Sequence, residues 1–307
     1  MTTTALLDDE RLSSVDIEPV TGVIGAEVTG VDLRRPLSPD VVAALTSALL
    51  DHHVLFFRDQ HLDIDQQIAF SRYFGDPNPS HPVPGTGLAE QPEIYRPRSP
   101  AEATEGPPSW HADHIYMHEP SKISSLRAVS LPPVGGGTMW ASQVAAYESL
   151  SPALQGFLDQ LSVVHPPPPG FRAQLAAGGA PGRWNGRVID RLDEVEHPLV
   201  VVHPESGKRS IFLHPGYGGG RAGGSRIPEL STTESDALVA FLVAHITAPE
   251  RTVHFAWTPG ALALWDNRVT IHRPVADYDP DIDRVLHRVS LQGEPPRGVP
   301  GNRFADR

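Results

Sequence analysis

Residues 110–116, with the sequence WHADHIY, bring two histidines and one aspartate close together in the chain. Along a β-strand, residues i and i+2 share a face, so His111 and Asp113 would point toward one ion. With a second histidine from elsewhere, this pair would complete the 2-His-1-carboxylate set of non-haem Fe(II) oxygenases. The chain has 15 histidines, so a chance match on a polar surface turn explains this tripeptide equally well. His114 and Tyr116 receive no metal role and are candidates only for a pocket wall.

Further candidates lie near the C-terminus. His272 ends the apolar segment ALALWDNRVTIH, so a buried strand would offer it as a third ligand; an ordinary hydrogen-bonded core histidine is the alternative. Arg284 and Arg288 are four residues apart in DRVLHRVSLQG, which puts them on one face of a strand, roughly 13 Å apart. A buried guanidinium needs an anion, so this pair indicates two anionic ligands beside one metal. A surface strand with salt bridges is the alternative for the two arginines.

Composition limits the classes of function. The chain has 307 residues and a formal net charge of −12, so we expect no nucleic-acid partner. It has no cysteine, which excludes disulfides and thiolate ligands and leaves His, Asp and Glu to hold a transition metal. The N-terminus has no basic start followed by an apolar run, and no apolar stretch approaches the roughly 18 residues that span a membrane. We therefore expect a cytoplasmic protein without membrane association, and a homo-oligomer.

The pattern of helices and strands predicts one mainly β domain with flanking helices. Ser38 with Pro39, and Ser231 with Glu234, are typical of helix starts. Many short strands separated by Gly and Pro indicate a sandwich or a barrel. We expect a disordered N-terminal tail over residues 1–16 and a single domain over residues 17–307.

Residues 165–196 have little consistent period and many helix and strand breakers. This segment is either a disordered insertion or a lid over the site. Phe171 and Trp184 would contact the substrate if it is a lid, whereas a solvated loop would give them no such role.

Taken together, these motifs resemble the taurine dioxygenase family of Fe(II)/2-oxoglutarate-dependent dioxygenases, which also contains phenoxyalkanoate dioxygenases and alkylsulfatases. The resemblance runs from about residue 20 to residue 296. Its blocks occur in the family order: IGAEVTGVDLRRPLS, VLFFRDQHL, WHAD, GGGTMWAS, HPESGKRSIFL, WDNRVTIH and RVLHRVSLQGE. It implies a double-stranded β-helix (jelly roll) core with helices packed outside.

The resemblance also implies roles for individual residues. His111, Asp113 and His272 would bind Fe(II), and 2-oxoglutarate would chelate that iron. The distal carboxylate of 2-oxoglutarate would meet Arg284 and the hydroxyl group of Thr138. A guanidinium can hold a carboxylate through two parallel bonds, and a hydroxyl can donate one more. On its own, Thr138 would be read as an ordinary strand threonine.

Two further residues match the family's substrate-binding positions. Arg288 would hold the acidic group of the substrate and His81 would assist it, although His81 could equally be an ordinary loop histidine. Pro107 and Pro84 stand where relatives carry residues that line the taurine side of the pocket, so taurine itself is disfavoured. The spacing from His272 to the arginines is also one residue longer than in close relatives, within DYDPDID.

The resulting prediction is a dioxygenase that uses Fe(II), 2-oxoglutarate and O2 to hydroxylate a C–H bond of a small carboxylate, sulfonate or sulfate, releasing succinate and CO2. The same site could instead serve desaturation, cyclisation or oxidative cleavage of a carbon–heteroatom bond. Two other classes remain open, namely a zinc-dependent hydrolase or sensor and a non-catalytic jelly-roll binding protein. Zinc hydrolysis would give no role to Arg284 and Thr138.

Overall fold

A computed structural model of the chain describes residues 15–79, 88, 91–96, 109–177, 181–215 and 224–306. Within these residues it contains six α-helices and sixteen β-strands. The helices are α1 (Pro39–His52), α2 (Ile64–Ser71), α3 (Gln143–Glu148), α4 (Pro152–Leu158), α5 (Pro169–Ala176) and α6 (Thr232–Ile246). The strands are β1 (Asp16–Pro19), β2 (Ala26–Thr29), β3 (Val54–Phe57), β4 (Ile94–Tyr95), β5 (Ile123–Ser130), β6 (Thr138–Ser142), β7 (Ser162–His165), β8 (Gly182–Trp184), β9 (Arg187–Ile189), β10 (Val195–Pro198), β11 (Val200–Val202), β12 (Arg209–Ile211), β13 (Thr252–Phe255), β14 (Leu262–Asp266), β15 (Thr270–Pro274) and β16 (Val285–Ser290). The predicted class, mainly β with flanking helices, is confirmed.

Two sheets position the candidate residues, some of which lie in strands and others in the segments next to them. The larger has seven strands in the order β1-β2-β3-β14-β5-β16-β4, and only β2 and β3 run parallel. The smaller has three antiparallel strands in the order β13-β6-β15. β14 and β15 follow each other in the chain but belong to different sheets, so the turn between them joins the two sheets.

Aromatic side chains fill the space between the two sheets. Phe56 of the large sheet stacks on Phe255 of the small sheet with ring centroids 4.3 Å apart. Trp265 of the large sheet meets Trp140 of the small sheet edge to face at 5.7 Å. All four are almost fully buried. Because interiors pack as densely as organic crystals, this apolar layer fixes the spacing of the two sheets and of the polar residues at its edge.

The outer faces of the sheets are covered by helices whose ends are capped as the sequence predicted. Ser38 accepts a hydrogen bond from the amide of Val41 at the start of α1, and Leu45 and Leu49 face the large sheet. At the start of α6, Ser231 forms the predicted capping box with Glu234. Capping satisfies backbone donors that the first helical turn leaves without partners.

The described part of residues 165–196 folds into α5 and the hairpin of β8 and β9. Asn185 and Gly186 turn the hairpin with φ of +45° and +74°, as a two-residue turn of this type requires. Trp184 and Leu192 are buried against the segment that contains Met117. This hairpin therefore packs on the chain immediately after residues 110–116.

The N-terminal boundary differs slightly from the prediction, because Asp16 already pairs with Thr29 in the large sheet. Residues 1–14 lie outside the described residues, as do His81, Pro84 and Pro107. No helix in the described part of the chain combines the length and the apolar character needed to cross a membrane.

Candidate metal-binding active site

The segment WHADHIY is not a strand, and the prediction of strand alternation there was wrong. Only His111 pairs: it and His272 exchange backbone hydrogen bonds of 2.8 and 2.7 Å. His114 then adopts φ of +56°, and its carbonyl accepts a hydrogen bond from the amide of Met117, so the chain turns instead of extending. The backbone bridge nevertheless places His272 of β15 directly beside His111, although 160 residues lie between them in the chain.

The side chains of His111, Asp113 and His272 converge at this bridge. Their candidate ligand atoms all lie within 4.8 Å of one another. Asp113 is buried, so the polar surface turn is excluded as an explanation. Nε2 of His272 lies 3.9 Å from Oδ1 of Asp113, whereas its Nδ1 has no hydrogen-bond partner within the described residues. His272 therefore does not fit the alternative of a core histidine with both nitrogens satisfied.

Both imidazoles are neutral near pH 7. Burial lowers the pKa of His111, and it lowers the pKa of His272 well below the ordinary value. Nδ1 of His111 lies 2.9 Å from the carbonyl oxygen of Ser109. A carbonyl only accepts, so Nδ1 carries the proton and Nε2 carries the lone pair. Orientation of a ligand histidine by a backbone carbonyl is typical of metal centres.

Three hydrogen bonds hold Asp113, two to its carboxylate and one from its backbone amide. Ser124 Oγ donates to its Oδ2 at 2.7 Å, and its own backbone amide donates to Asn267 Oδ1 at 3.2 Å. Arg288 Nη1 donates to Oδ1. Burial alone would raise the pKa of Asp113, but the guanidinium of Arg288 and the nearby histidines outweigh it and hold that pKa well below the usual range. Two neutral imidazoles and one carboxylate form a donor set that suits Fe(II).

Arg284 and Thr138 lie together at the start of β6, the central strand of the small sheet. Arg284 Nε donates to the carbonyl of Gly136 at 2.6 Å, and Nη2 lies 3.2 Å from Thr138 Oγ1. Trp257 Nε1 donates to the same Oγ1 at 3.0 Å. The hydroxyl oxygen thus accepts two bonds, which leaves its proton for a third group. Among the residues described, no carboxylate lies within salt-bridge distance of Arg284, so its buried charge is still without an anion.

The glycine turn before β6 shapes this arginine's surroundings. Gly135 has φ of +76°, and a Cβ there would lie 2.5 Å from the carbonyl oxygen of Asp277. Asp277 Oδ1 in turn accepts from the amide of Gly136 at 2.7 Å. Asp277 belongs to the DYDPDID segment, where the sequence is one residue longer than expected. That segment therefore holds the glycine turn in place, and the carbonyls of this turn accept hydrogen bonds from Arg284.

Arg288 also lies in the interior. Its neighbour across the strand pair is Tyr95, whose ring centroid is 4.5 Å from its guanidinium carbon. Arg288 Nε is buried and lacks a hydrogen-bond partner in the part of the chain that the structure describes. Arg284 lies just before β16, and the register shifts between Val285 and Leu286, so the two arginines are not both in regular strand. Both are less than a tenth exposed, which excludes the surface salt-bridge strand.

His114 and Trp184 form the wall beside Asp113. The two rings lie 4.3 Å apart, and His114 Nδ1 is 3.0 Å from Ser121 Oγ. Trp184 Nε1 donates to the carbonyl of Glu119 at 2.8 Å. Trp184 therefore covers the turn that carries the candidate ligand, while Phe171 packs at the edge of the same cluster. His81 lies outside the described residues, and its predicted role stays a prediction.

Sequence reasoning gave no role to Ser124, Asn267 or Trp257. Ser124 and Trp257 have no local signal, because their partners are 11 and 119 residues away. Asn267 stands inside WDNRVTIH, five residues before His272, and its place in that block was the one available hint.

The chain is similar to known proteins over most of its length. Residues 16–290 match the family described as taurine catabolism dioxygenase TauD, TfdA family. An α-ketoglutarate-dependent sulfate ester dioxygenase of Pseudomonas putida is 36% identical over 98% of this chain and 97% of its own length. An alkylsulfatase of Acinetobacter baylyi is 35% identical over 94% of this chain and 88% of its own. The crystal structure of a taurine dioxygenase from Burkholderia xenovorans superposes with a TM-score of 0.77 and 38% identity, covering 94% of this chain and 93% of that one.

Proposed function

This chain belongs to the TauD/TfdA family of Fe(II)- and 2-oxoglutarate-dependent dioxygenases, and we propose that it oxidises the C–H bond next to the ester oxygen of a small sulfate ester. The enzyme uses Fe(II), 2-oxoglutarate (α-ketoglutarate) and O2, and it acts on a small anionic substrate. The convergence of His111, Asp113 and His272 on one point is the observation that carries the assignment.

His111, Asp113 and His272 would hold the iron. The two neutral imidazoles supply lone pairs, and the ionised carboxylate of Asp113 balances part of the metal's charge. Three protein ligands leave three positions open on an octahedral ion, enough for a chelating cosubstrate and O2. When bound, the iron supplies O2 activation coupled to the oxidative decarboxylation of 2-oxoglutarate.

Arg284 and Thr138 would bind the distal carboxylate of 2-oxoglutarate. Arg284 is buried, has no carboxylate partner within the described residues, and is held in place by the Gly136 carbonyl. The proton of Thr138 is left to a third group because its oxygen already accepts from Arg284 and Trp257. An anion placed here would receive one charge-assisted bond and one hydroxyl bond. A zinc-dependent hydrolase would not need this anion-binding pair, because its reaction uses no 2-oxoglutarate.

Arg288 would bind the anionic group of the substrate, with His81 as an assisting residue. Its guanidinium contacts Oδ1 of Asp113, the oxygen that faces His272. Arg288 therefore lies next to two of the residues that would hold the metal. Its buried Nε without a partner in the described chain offers a second donor. A sulfate group held here would bring the adjacent C–H bond to the open side of the metal.

The sulfate ester is favoured because two relatives that match almost the whole chain are named for that chemistry. Insertion of one oxygen atom of O2 into the C–H bond gives a carbon that bears both a hydroxyl and the sulfate oxygen. The C–O bond to sulfate then breaks, giving an aldehyde and hydrogen sulfate; the other oxygen atom enters succinate. Oxidation of the carbon next to a sulfonate would instead release sulfite and an aldehyde, and oxidation next to the ether oxygen of a phenoxyalkanoate would release a phenol.

We further propose that the two sheets form a double-stranded β-helix, and that residues 165–196 act as a lid. The aromatic layer between a seven-stranded and a three-stranded sheet supports the first. Trp184, whose ring lies 4.3 Å from that of His114 beside Asp113, supports the second. From the sequence we also propose that the chain forms a single domain, that the protein is cytoplasmic and homo-oligomeric, and that it has no nucleic-acid partner.

The function is tested by incubating the protein with Fe(II), 2-oxoglutarate and, separately, an octyl sulfate, an octanesulfonate and a phenoxyacetate. We expect octyl sulfate to yield succinate, inorganic sulfate and aldehyde in equal amounts, and no sulfate when O2 is removed. Turnover of only the carboxylate or the sulfonate would overturn the substrate class but leave the dioxygenase. Sulfate release without O2 would instead indicate a hydrolase.

A further inference from the structure

Two polar side chains besides Arg288 form hydrogen bonds with Asp113: Ser124 Oγ donates to Oδ2, and Asn267 Oδ1 accepts from the backbone amide. Ser124 of β5 and Asn267 of the turn between β14 and β15 are both almost fully buried. Neither has a role in the function proposed above. Burying a polar side chain costs free energy unless it finds hydrogen-bond partners, so the partners of Ser124 and Asn267 indicate why they are there.

The hydrogen bonds run in one direction, from Trp265 to Asp113. Trp265 Nε1 can only donate, and it donates to Asn267 Oδ1 at 2.8 Å, which fixes the orientation of the amide. Asn267 Nδ2 therefore faces Ser124 and donates to its Oγ at 2.9 Å. Having accepted that bond, Ser124 directs its proton to Asp113 Oδ2 at 2.7 Å.

One further contact could compete for the proton of Ser124. Its Oγ lies 3.3 Å from Ser290 Oγ, and either hydroxyl could donate. The bond to Asp113 is shorter and has an ionised acceptor, and such charge-assisted bonds are about twice as strong as neutral ones. The proton of Ser124 therefore belongs to Asp113.

Asn267 is itself anchored by the backbone. Its amide donates to the carbonyl of Lys122 at 2.8 Å. The preceding residue, Asp266, accepts from Arg268 Nε at 2.9 Å and lies 3.0 Å from His203 Nε2. The turn is thus held on both sides, and Asn267 Oδ1 also accepts from the backbone amide of Asp113.

We propose that Ser124 and Asn267 are positioning residues that keep Asp113 bound to the metal through Oδ1 alone. A carboxylate can bind a metal through one oxygen or through both. Ser124 occupies Oδ2, whereas Oδ1 lies 3.9 Å from His272 Nε2 and is contacted by the Arg288 guanidinium. If Oδ2 also bound, one of the open positions needed for 2-oxoglutarate and O2 would be lost. This inference rests on the proposed function, because it assumes that Asp113 is a metal ligand.

The test uses Co(II), without cosubstrate or substrate, as the probe of the metal site. Ser124→Ala, Asn267→Ala and the double variant are compared with the wild type by calorimetric titration and by the visible spectrum of bound Co(II). Loss of such outer partners typically lowers metal affinity about 10- to 100-fold, and we expect each single variant to fall in that range. The double variant should lose less than the product of the two single losses, because Asn267 acts partly through Ser124. The Co(II) spectrum should change intensity as the coordination by Asp113 changes.

Asn302→Ala is the matched control. Asn302 is a buried asparagine that donates to the carbonyl of Asp159 and has no contact with Asp113. We expect it to lower the melting temperature and leave both the Co(II) affinity and the spectrum unchanged. Ser124→Ala removes a single oxygen atom, so it carries the test by itself if Asn267→Ala does not fold.

Three results would overturn the inference. They are wild-type affinity and spectrum in Ser124→Ala, an equal loss in Asn302→Ala, and strictly multiplicative losses in the double variant. A wild-type protein that binds no Co(II) would instead contradict the proposed function, so the two failures are distinguishable.

Discussion

The hydroxyl oxygen of Thr138 lies 3.2 Å from Nη2 of Arg284, a residue 146 positions later in the chain. The indole of Trp257 donates to the same oxygen from another side. Two donors therefore orient the threonine hydroxyl, and its proton points away from both. This relationship supports the proposal that the pair binds an anionic group and leads to the first prediction.

Thr138→Val should raise the KM for 2-oxoglutarate about 10- to 100-fold, because a hydrogen bond to a charged group contributes roughly 1.5–3 kcal/mol. The kcat at saturating 2-oxoglutarate should stay close to the wild-type value. The measurement is succinate formation as a function of 2-oxoglutarate concentration. Thr138→Ser keeps the hydroxyl and is the control; an unchanged KM in Thr138→Val would remove Thr138 from the cosubstrate site.

Arg288→Gln should raise the KM for the anionic substrate about 100-fold, since it removes the buried guanidinium that would pair with the substrate's anionic group. Any succinate that the wild type forms without substrate should still form in the variant at saturating Fe(II) and 2-oxoglutarate. Arg127→Gln is a matched control, because Arg127 of β5 bonds Gln67 and not Asp113. Equal substrate KM values for Arg288→Gln and the wild type would refute the assignment.

The arginines illustrate how far sequence reasoning reaches. Four-residue spacing on an apolar strand was enough to predict that Arg284 and Arg288 are both buried. The register shift after Val285, and the carbonyls that hold Arg284, depend on Gly136 and the DYDPDID segment. Those contacts join residues more than 140 positions apart, and no local pattern encodes them.

Acid should destabilise the fold through His53. Burial, together with Lys208, lowers the pKa of His53 to about 4 in the folded protein, against about 6.5 unfolded. The unfolded chain therefore binds the proton first, so the stability that neutral His53 contributes is complete above pH 6.5 and is lost as the pH falls toward 4. Between pH 7 and pH 5 this one group should lower the free energy of unfolding by about 2 kcal/mol.

His53→Asn tests this dependence by urea denaturation at both pH values. Asparagine tolerates the positive φ of +66° at this helix end, so the fold should persist. The variant should lose about 2 kcal/mol less stability than the wild type on going from pH 7 to pH 5. The exposed His118→Gln serves as the control, and parallel losses in wild type and His53→Asn would show that His53 does not cause the effect.

Trp184→Ala should lower the free energy of unfolding by about 3–5 kcal/mol, the usual cost of emptying a buried aromatic site. Urea denaturation measures this loss, and hydrogen exchange should become faster at the amide of Met117. Trp184→Phe keeps most of the packing and loses only the bond to Glu119, so it should cost about 1 kcal/mol. A global stability equal to that of the wild type would mean that the hairpin is a loop that opens independently.

The segment 110–116 shows the opposite limit of sequence reasoning. The spacing of His111 and Asp113 correctly brought the two side chains to one point, but by strand alternation, whereas only His111 forms a backbone bridge and the chain turns from Asp113 onward. The true cause is the backbone bridge between His111 and His272, together with the support of Asp113 by Ser124. Both are long-range contacts that only the folded chain supplies.

The most direct test of the metal site is anaerobic addition of Fe(II) and 2-oxoglutarate, followed by visible absorption. In the wild type we expect a weak charge-transfer band that needs both components, because the cosubstrate would chelate an iron held by two histidines and one carboxylate. The band should be absent in His272→Ala and present in His203→Ala, whose imidazole contacts Asp266 instead. A wild-type protein without the band, or a His272→Ala variant that retains it, would contradict the account.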